Sequence, residues 1–135
     1  MITTKQLQEL IDKETNIDKI LQAIPSTTLI DYLDSLISSS NLSKAQIINN
    51  STLQRNYAYQ IIDGTKQPGR DKVIMLALAL NTTQQHTNNL LSLSNNGSLY
   101  PKVERDALII IALNNHYSVM ETNNLLFDYH KDILK

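Results

Sequence analysis

The chain has no cysteine and no tryptophan, a single phenylalanine, and only three glycines and three prolines in 135 residues. Without cysteine it can form neither a disulfide framework nor a thiolate metal site. Three scattered glycines leave no glycine-rich loop to cradle a phosphate, and Asp63-Gly64 reads better as a helix exit. One phenylalanine and no tryptophan leave Tyr57 and Tyr59 without the aromatic platform on which single-stranded nucleic acid stacks. No apolar run approaches the roughly 18 residues of a membrane helix, and no basic-then-apolar leader opens the chain. His86, His116 and His130 fall on different segments without a ligand spacing such as HExxH, so no metal is expected. Asp71 and Asp106 stand at helix starts, where a carboxylate favours the helix dipole, and are read as structural rather than as an acid–base pair. Neither an enzyme nor a cofactor is expected, and the expected location is the cytoplasm.

What is present is ordinary in bulk and uneven in detail. A composition of 41% hydrophobic and 19% charged residues suits a soluble globular protein of one domain, or one domain with an appendage. The net charge of −1 divides unequally. Residues 1–41 set Lys5, Lys13 and Lys19 against Glu9, Asp12, Glu14, Asp18, Asp31 and Asp34, a balance of −3. Residues 42–72 set Lys44, Arg55, Lys66, Arg70 and Lys72 against Asp63 and Asp71, a balance of +3. The remainder, with four basic and five acidic residues, stands at −1. One positive segment in a neutral protein is the footprint expected of a modest DNA-binding surface, the alternative being chance in a small sample of charges.

That segment has its own logic. Ser43 and Gln46 make a capping box, predicting a short helix from Lys44 to about Asn49. The turn cluster Asn49-Asn50-Ser51-Thr52 ends it, and a second short helix fits Gln54–Ile62, with Gly64 just past its end. Two short helices across a polar turn predict a helix-turn-helix, whose second helix can enter a DNA major groove. On that helix Tyr57, Ala58 and Ile61 point inward, while Arg55, Asn56, Tyr59 and Gln60 share the opposite arc. Arginine pairs bidentately with guanine, and asparagine or glutamine with adenine. The same face could be the solvated side of an ordinary core helix, and the face alone does not decide.

Residues 42–81 resemble the DNA-binding domain of the phage Cro and repressor family, the XRE-type helix-turn-helix proteins. The ungapped likeness covers 40 of the 135 residues. It rests on Leu42-Ser43, Ile47, Leu53, Ile61, the exit Asp63-Gly64-Thr65-Lys66-Gln67-Pro68, and Leu76-Ala77-Leu78-Ala79-Leu80. Two positions depart from the pattern: the family's small alanine is Ile48, and its turn glycine is Thr52. The resemblance implies that Arg55, Asn56 and Gln60 read bases, with Tyr59 packing on sugar or a thymine methyl. It also implies that Lys44, Gln54, Thr65 and Lys66, assisted by Arg70, hold the DNA backbone.

Around this segment the rest of the chain is expected to be helical. Residues 1–25 read as an amphipathic lead-in, capped by Thr3 or Thr4, that covers the core or pairs with a second subunit. Ser26-Thr27-Thr28 opens a bracing helix through about Ser38. Arg70–Leu91 then aligns without gaps on Arg105–Leu126 at an offset of 35, with ten of 22 positions identical. Each copy reads as helix, turn and helix, with expected capping boxes at Thr82/Gln85 and Ser118/Glu121. The expectation is therefore an all-α fold: a repressor-like helix-turn-helix domain over residues 26–94, preceded by an amphipathic helix and followed, over 95–135, by a duplicated helix pair.

The partner expected is double-stranded DNA, bound by a sequence-specific transcriptional regulator acting as a repressor. Ile109-Ile110-Ile111 and Val119-Met120 exceed what a lone helix pair can hide, so residues 102–128 are expected either to form a homodimer interface or to pack wholly within the chain's own core. The alternative is a protein-binding module, such as an antitoxin, a phage-encoded inhibitor or an adaptor, gripping its partner through the same residues.

Overall fold

The computed structural model describes residues 2–23 and 27–135. Those residues form an all-α protein without strands. No helix among them is long and apolar enough to cross a membrane. The expected end of the lead-in at Pro25 and the Ser26 helix opening lie outside the described residues.

Helix α1 (Thr4–Lys13) starts at Thr3, whose hydroxyl accepts from the Gln6 amide while Gln6 caps Thr3 in return. Neither α1 nor α2 (Ile17–Ala23) buries a side chain, and Ile17 and Leu21 are exposed. The lead-in expected to cover the core does not seal it. The start of α1, from Thr4 to Leu7, borders a cleft shared with Tyr32 and His86.

The core begins with α3 (Leu29–Ser39), capped by Thr28 and buried at Leu33 and Ile37. Helix α4 (Lys44–Ser51) has the expected Ser43/Gln46 box but runs two residues further than the turn cluster suggests. Ser51 is the reason: fully buried, its hydroxyl donates to the Ile48 carbonyl and accepts from the Leu53 amide, so a turn-forming residue closes the helix from inside. Helix α5 (Arg55–Ile62) follows, and Gln54 is its cap rather than its first residue.

Helix α6 (Arg70–Leu80) is the centre. Every residue from Val73 to Leu80 is buried, so this helix has no solvent stripe. It packs on α4 and on α7 (Gln84–Leu93), while α3 braces α5 and α7. Each fully buried aliphatic side chain contributes about 1.5–3 kcal/mol. One apolar cluster runs from Leu33 through α6 to Leu134, with no break at the boundary expected near residue 94.

Helices α8 (Glu104–Asn114) and α9 (Val119–Asp128) repeat α6 and α7. The Ser118/Glu121 box is present, but in the first copy Thr83, not Thr82, is the cap. The Thr82 hydroxyl instead meets that of Thr87 at 3.1 Å inside the core.

The repeat extends beyond the aligned stretch, to residues 70–100 and 105–135. Asn88 Oδ1 accepts from the Leu99 amide, and Asn123 Oδ1 from the Leu134 amide, 35 residues later in each case. Asn81 and His116 share a left-handed φ, as do Asn95 and His130. The copies then cross over. Arg70 donates to both Asp106 oxygens, and Arg105 to both Asp71 oxygens. Tyr100 N–H donates to Asp106 as Lys135 N–H donates to Asp71. Helix α6 touches α9 as α8 touches α7, and the equivalent residues Asn81 and His116 meet at 2.8 Å. These are the marks of an approximate twofold axis inside one chain.

Candidate nucleic-acid interface

The local sequence sets the interface from below. Ala58, Ile61 and Ile62 are buried and fix the inner side of α5. Arg55 and Asn56, in its first turn, are exposed, and Tyr59 and Gln60 are half-buried one turn later. Tyr57 is only half-buried, and the Lys72 ammonium lies 6.0 Å from its ring centre. That places Tyr57 beside the start of α6.

Between α4 and α5 lies an open groove of about 320 Å³, lined by Ala45, Ile48, Asn49, Thr52, Leu53, Arg55 and Tyr59. The Arg55 guanidinium carbon sits 5.7 Å from the centre of the Tyr59 ring, within cation–π range. The groove thus brings together two expected base contacts, Arg55 and Tyr59, and adds Asn49 and Thr52, which the sequence reading assigned to the turn alone. Asn56 and Gln60 do not line it.

Thr52 explains how the turn closes without the expected glycine. Its φ of 61° and ψ of 7° are left-handed, a conformation costly for a β-branched residue. Ile48, where a small residue was the pattern, is 4% exposed and joins the core.

The expected backbone contacts divide. Lys44 is exposed at the start of α4, and Lys66 is exposed beyond α5. Among the described residues neither joins an ion pair. Gln54 gives its carbonyl oxygen to the Tyr57 amide at 2.7 Å, which leaves its amino group, the half that could donate to a phosphate. Thr65 is less available. Its N–H donates to Asp63, and its hydroxyl and N–H together hold that exposed carboxyl below the usual carboxylate range. The exit of α5 therefore keeps a negative charge beside Lys66.

Arg70 requires a correction. Expected to assist at the DNA backbone, it faces the C-terminal repeat instead. Nε donates to the Gly97 carbonyl, Nη2 to the Ser98 carbonyl, and the fork to Asp106. Four of its five donors are engaged within the chain, so it is a structural residue.

No family model, curated protein or solved structure matches the chain.

Proposed function

We propose that the protein is a cytoplasmic, sequence-specific double-stranded DNA-binding regulator of transcription, acting as a repressor where its site overlaps a promoter. The α4–α5 pair is the reading unit, with α5 lying in the major groove. One observation carries this reading: α5 buries Ala58 and Ile61 while presenting Arg55 and Asn56 to solvent, with Tyr59 beneath Arg55. A guanidinium and a carboxamide on neighbouring residues are the side chains that distinguish guanine and adenine by bidentate hydrogen bonds. The basic balance of residues 42–72 agrees, and Lys44, Gln54 and Lys66 supply donors for phosphate.

The test is selection from a random double-stranded DNA pool with the wild type and an Arg55→Ala/Asn56→Ala variant in parallel. A consensus that disappears in the variant supports the reading. A palindromic consensus means a twofold dimer on DNA, and a single half-site means a protein that docks alone. Absence of enrichment at low salt overturns the reading.

A further inference from the structure

The two copies of the repeat have the same fold but opposite surfaces on their second helices. On α9, at about 100° per residue, Val119, Thr122 and Leu126 face the core and are buried. Met120 and Phe127 form a row on the outer side, 70% and 74% exposed. Glu121 and Asp128 form a second row roughly 100° further round, with Asn124 between the two. In the first copy the residues at the Met120 and Phe127 positions are Gln85 and Ser92, both exposed. The repeat therefore folds with polar side chains at these places, and folding does not require the apolar row. Ile111 on neighbouring α8 is also 46% exposed, where the first copy buries Leu76. Of the apolar surplus expected here, Ile109 and Val119 are absorbed by the chain's own core.

A second copy of this chain is a poor occupant. A twofold axis across the helix gives an antiparallel α9 pair in which apolar meets apolar, but the acidic rows also face each other. A twofold axis along the helix gives a parallel pair. Centred between the rows, it sets Glu121 and Asp128 against Met120 and Phe127; centred on the apolar row, it leaves both carboxylates without a partner. The antiparallel pair opposes like charges, and neither parallel pair uses the acidic row. Helix α9 carries no lysine or arginine to pair with that row. The complement of this face is a helix with an apolar stripe flanked on one side by cations.

We propose that the outer face of α9 is a docking site for a basic amphipathic helix of another protein, its apolar stripe lying on Met120 and Phe127 and its lysines or arginines opposite Glu121 and Asp128. Glu121 accepts from the Ser118 amide through one oxygen, which leaves the other oxygen for a partner. The proposal is independent of DNA binding, since no α9 residue lines the groove between α4 and α5.

The test uses the full chain and two labelled peptides of about four helical turns, one of leucine and lysine, one of leucine and glutamate, each with a single apolar stripe. Fluorescence anisotropy measures affinity, and the Met120 methyl resonance reports the site. The leucine–lysine peptide should bind saturably and shift that resonance, and the leucine–glutamate peptide should not. Met120→Gln/Phe127→Ser, which installs the first copy's residues, should weaken binding roughly tenfold or more with no loss of fold. Glu121→Gln/Asp128→Asn, which keeps a capping side chain, should abolish the preference for lysine. Equal binding of both peptides, or unchanged binding by Met120→Gln/Phe127→Ser, would overturn the proposal. So would sedimentation showing a wild-type dimer that this variant dissociates, which would make a second copy the occupant.

Discussion

The carboxylate of Asp106 is 6% exposed beside Arg70, whereas that of Asp71, in the equivalent place beside Arg105, is 27% exposed. Two ion pairs of the same topology thus sit in different dielectric surroundings. Removing one partner of a buried pair strands the other, at a cost of about 3 kcal/mol, while a carboxylate that keeps some exposure can be rescued by water. Arg70→Ala, which strands Asp106, should therefore destabilise by about 3 kcal/mol and Arg105→Ala, which strands Asp71, by about 1 kcal/mol. Urea denaturation of the two variants checks the order, and equal losses would contradict it.

Acid should find Asp106 as well. Burial tends to raise its pKa, but the hydrogen bonds from Arg70 and the Tyr100 amide, with the Arg70 charge, outweigh burial and leave it lowered. A carboxyl whose pKa falls on folding stabilises the protein above its unfolded value, about 3.9, and loses that contribution as pH drops through the folded value. The stability gap between wild type and Asp106→Asn should be constant from neutral pH to about 5 and shrink below about 4. Denaturation midpoints across that range measure it.

Thr52 offers the opposite sign. A β-branched residue held at a φ of 61° is strained by about 1–2 kcal/mol, and glycine would relieve it at some cost in unfolded-state entropy. Thr52→Gly is expected to raise stability by up to about 1 kcal/mol. A thermal melt no higher than that of the wild type would refute the strain.

On DNA the roles should separate by salt. Arg55→Ala should cost about 1–3 kcal/mol on the selected site and relax preference at one base pair. Lys66→Ala should weaken all sequences alike and reduce the slope of log affinity against log salt by about one. Titrations of specific and random duplexes at several salt concentrations distinguish the two, and identical profiles would contradict the assignment.

Much of this architecture was legible because it is local. Ser43 with Gln46, Ser118 with Glu121, and Gly64 at a φ of 88° carry their geometry in single residues, and the offset of 35 was visible as identity. What escaped was non-local. Arg70-Asp71 and Arg105-Asp106 read as two separate helix starts, since nothing in either dipeptide says that the copies face each other. Arg70 was assigned to phosphate for the same reason. The extent of the repeat was hidden because Gly97-Ser98 and Asp132-Ile133 contribute only carbonyl oxygens, which any residue supplies. Adjacent threonines at 82 and 83 offered two equivalent caps, and only the buried bond to Thr87 separates them. At the interface, Arg55 was legible from the helical wheel, but the part of Asn49 and Thr52 in the groove depends on how α4 and α5 lean together.

Helix α6 has neighbours all round from Val73 to Leu80, and the second copy closes over the end that carries Arg70. Its amide protons can meet solvent deuterium only when the whole protein opens, whereas those of α1 and α2, with no buried side chain, exchange through local fraying. The slowest amides of α6 should therefore report the global unfolding free energy under native conditions. Exchange there should quicken in Arg70→Ala by the full factor that denaturation gives.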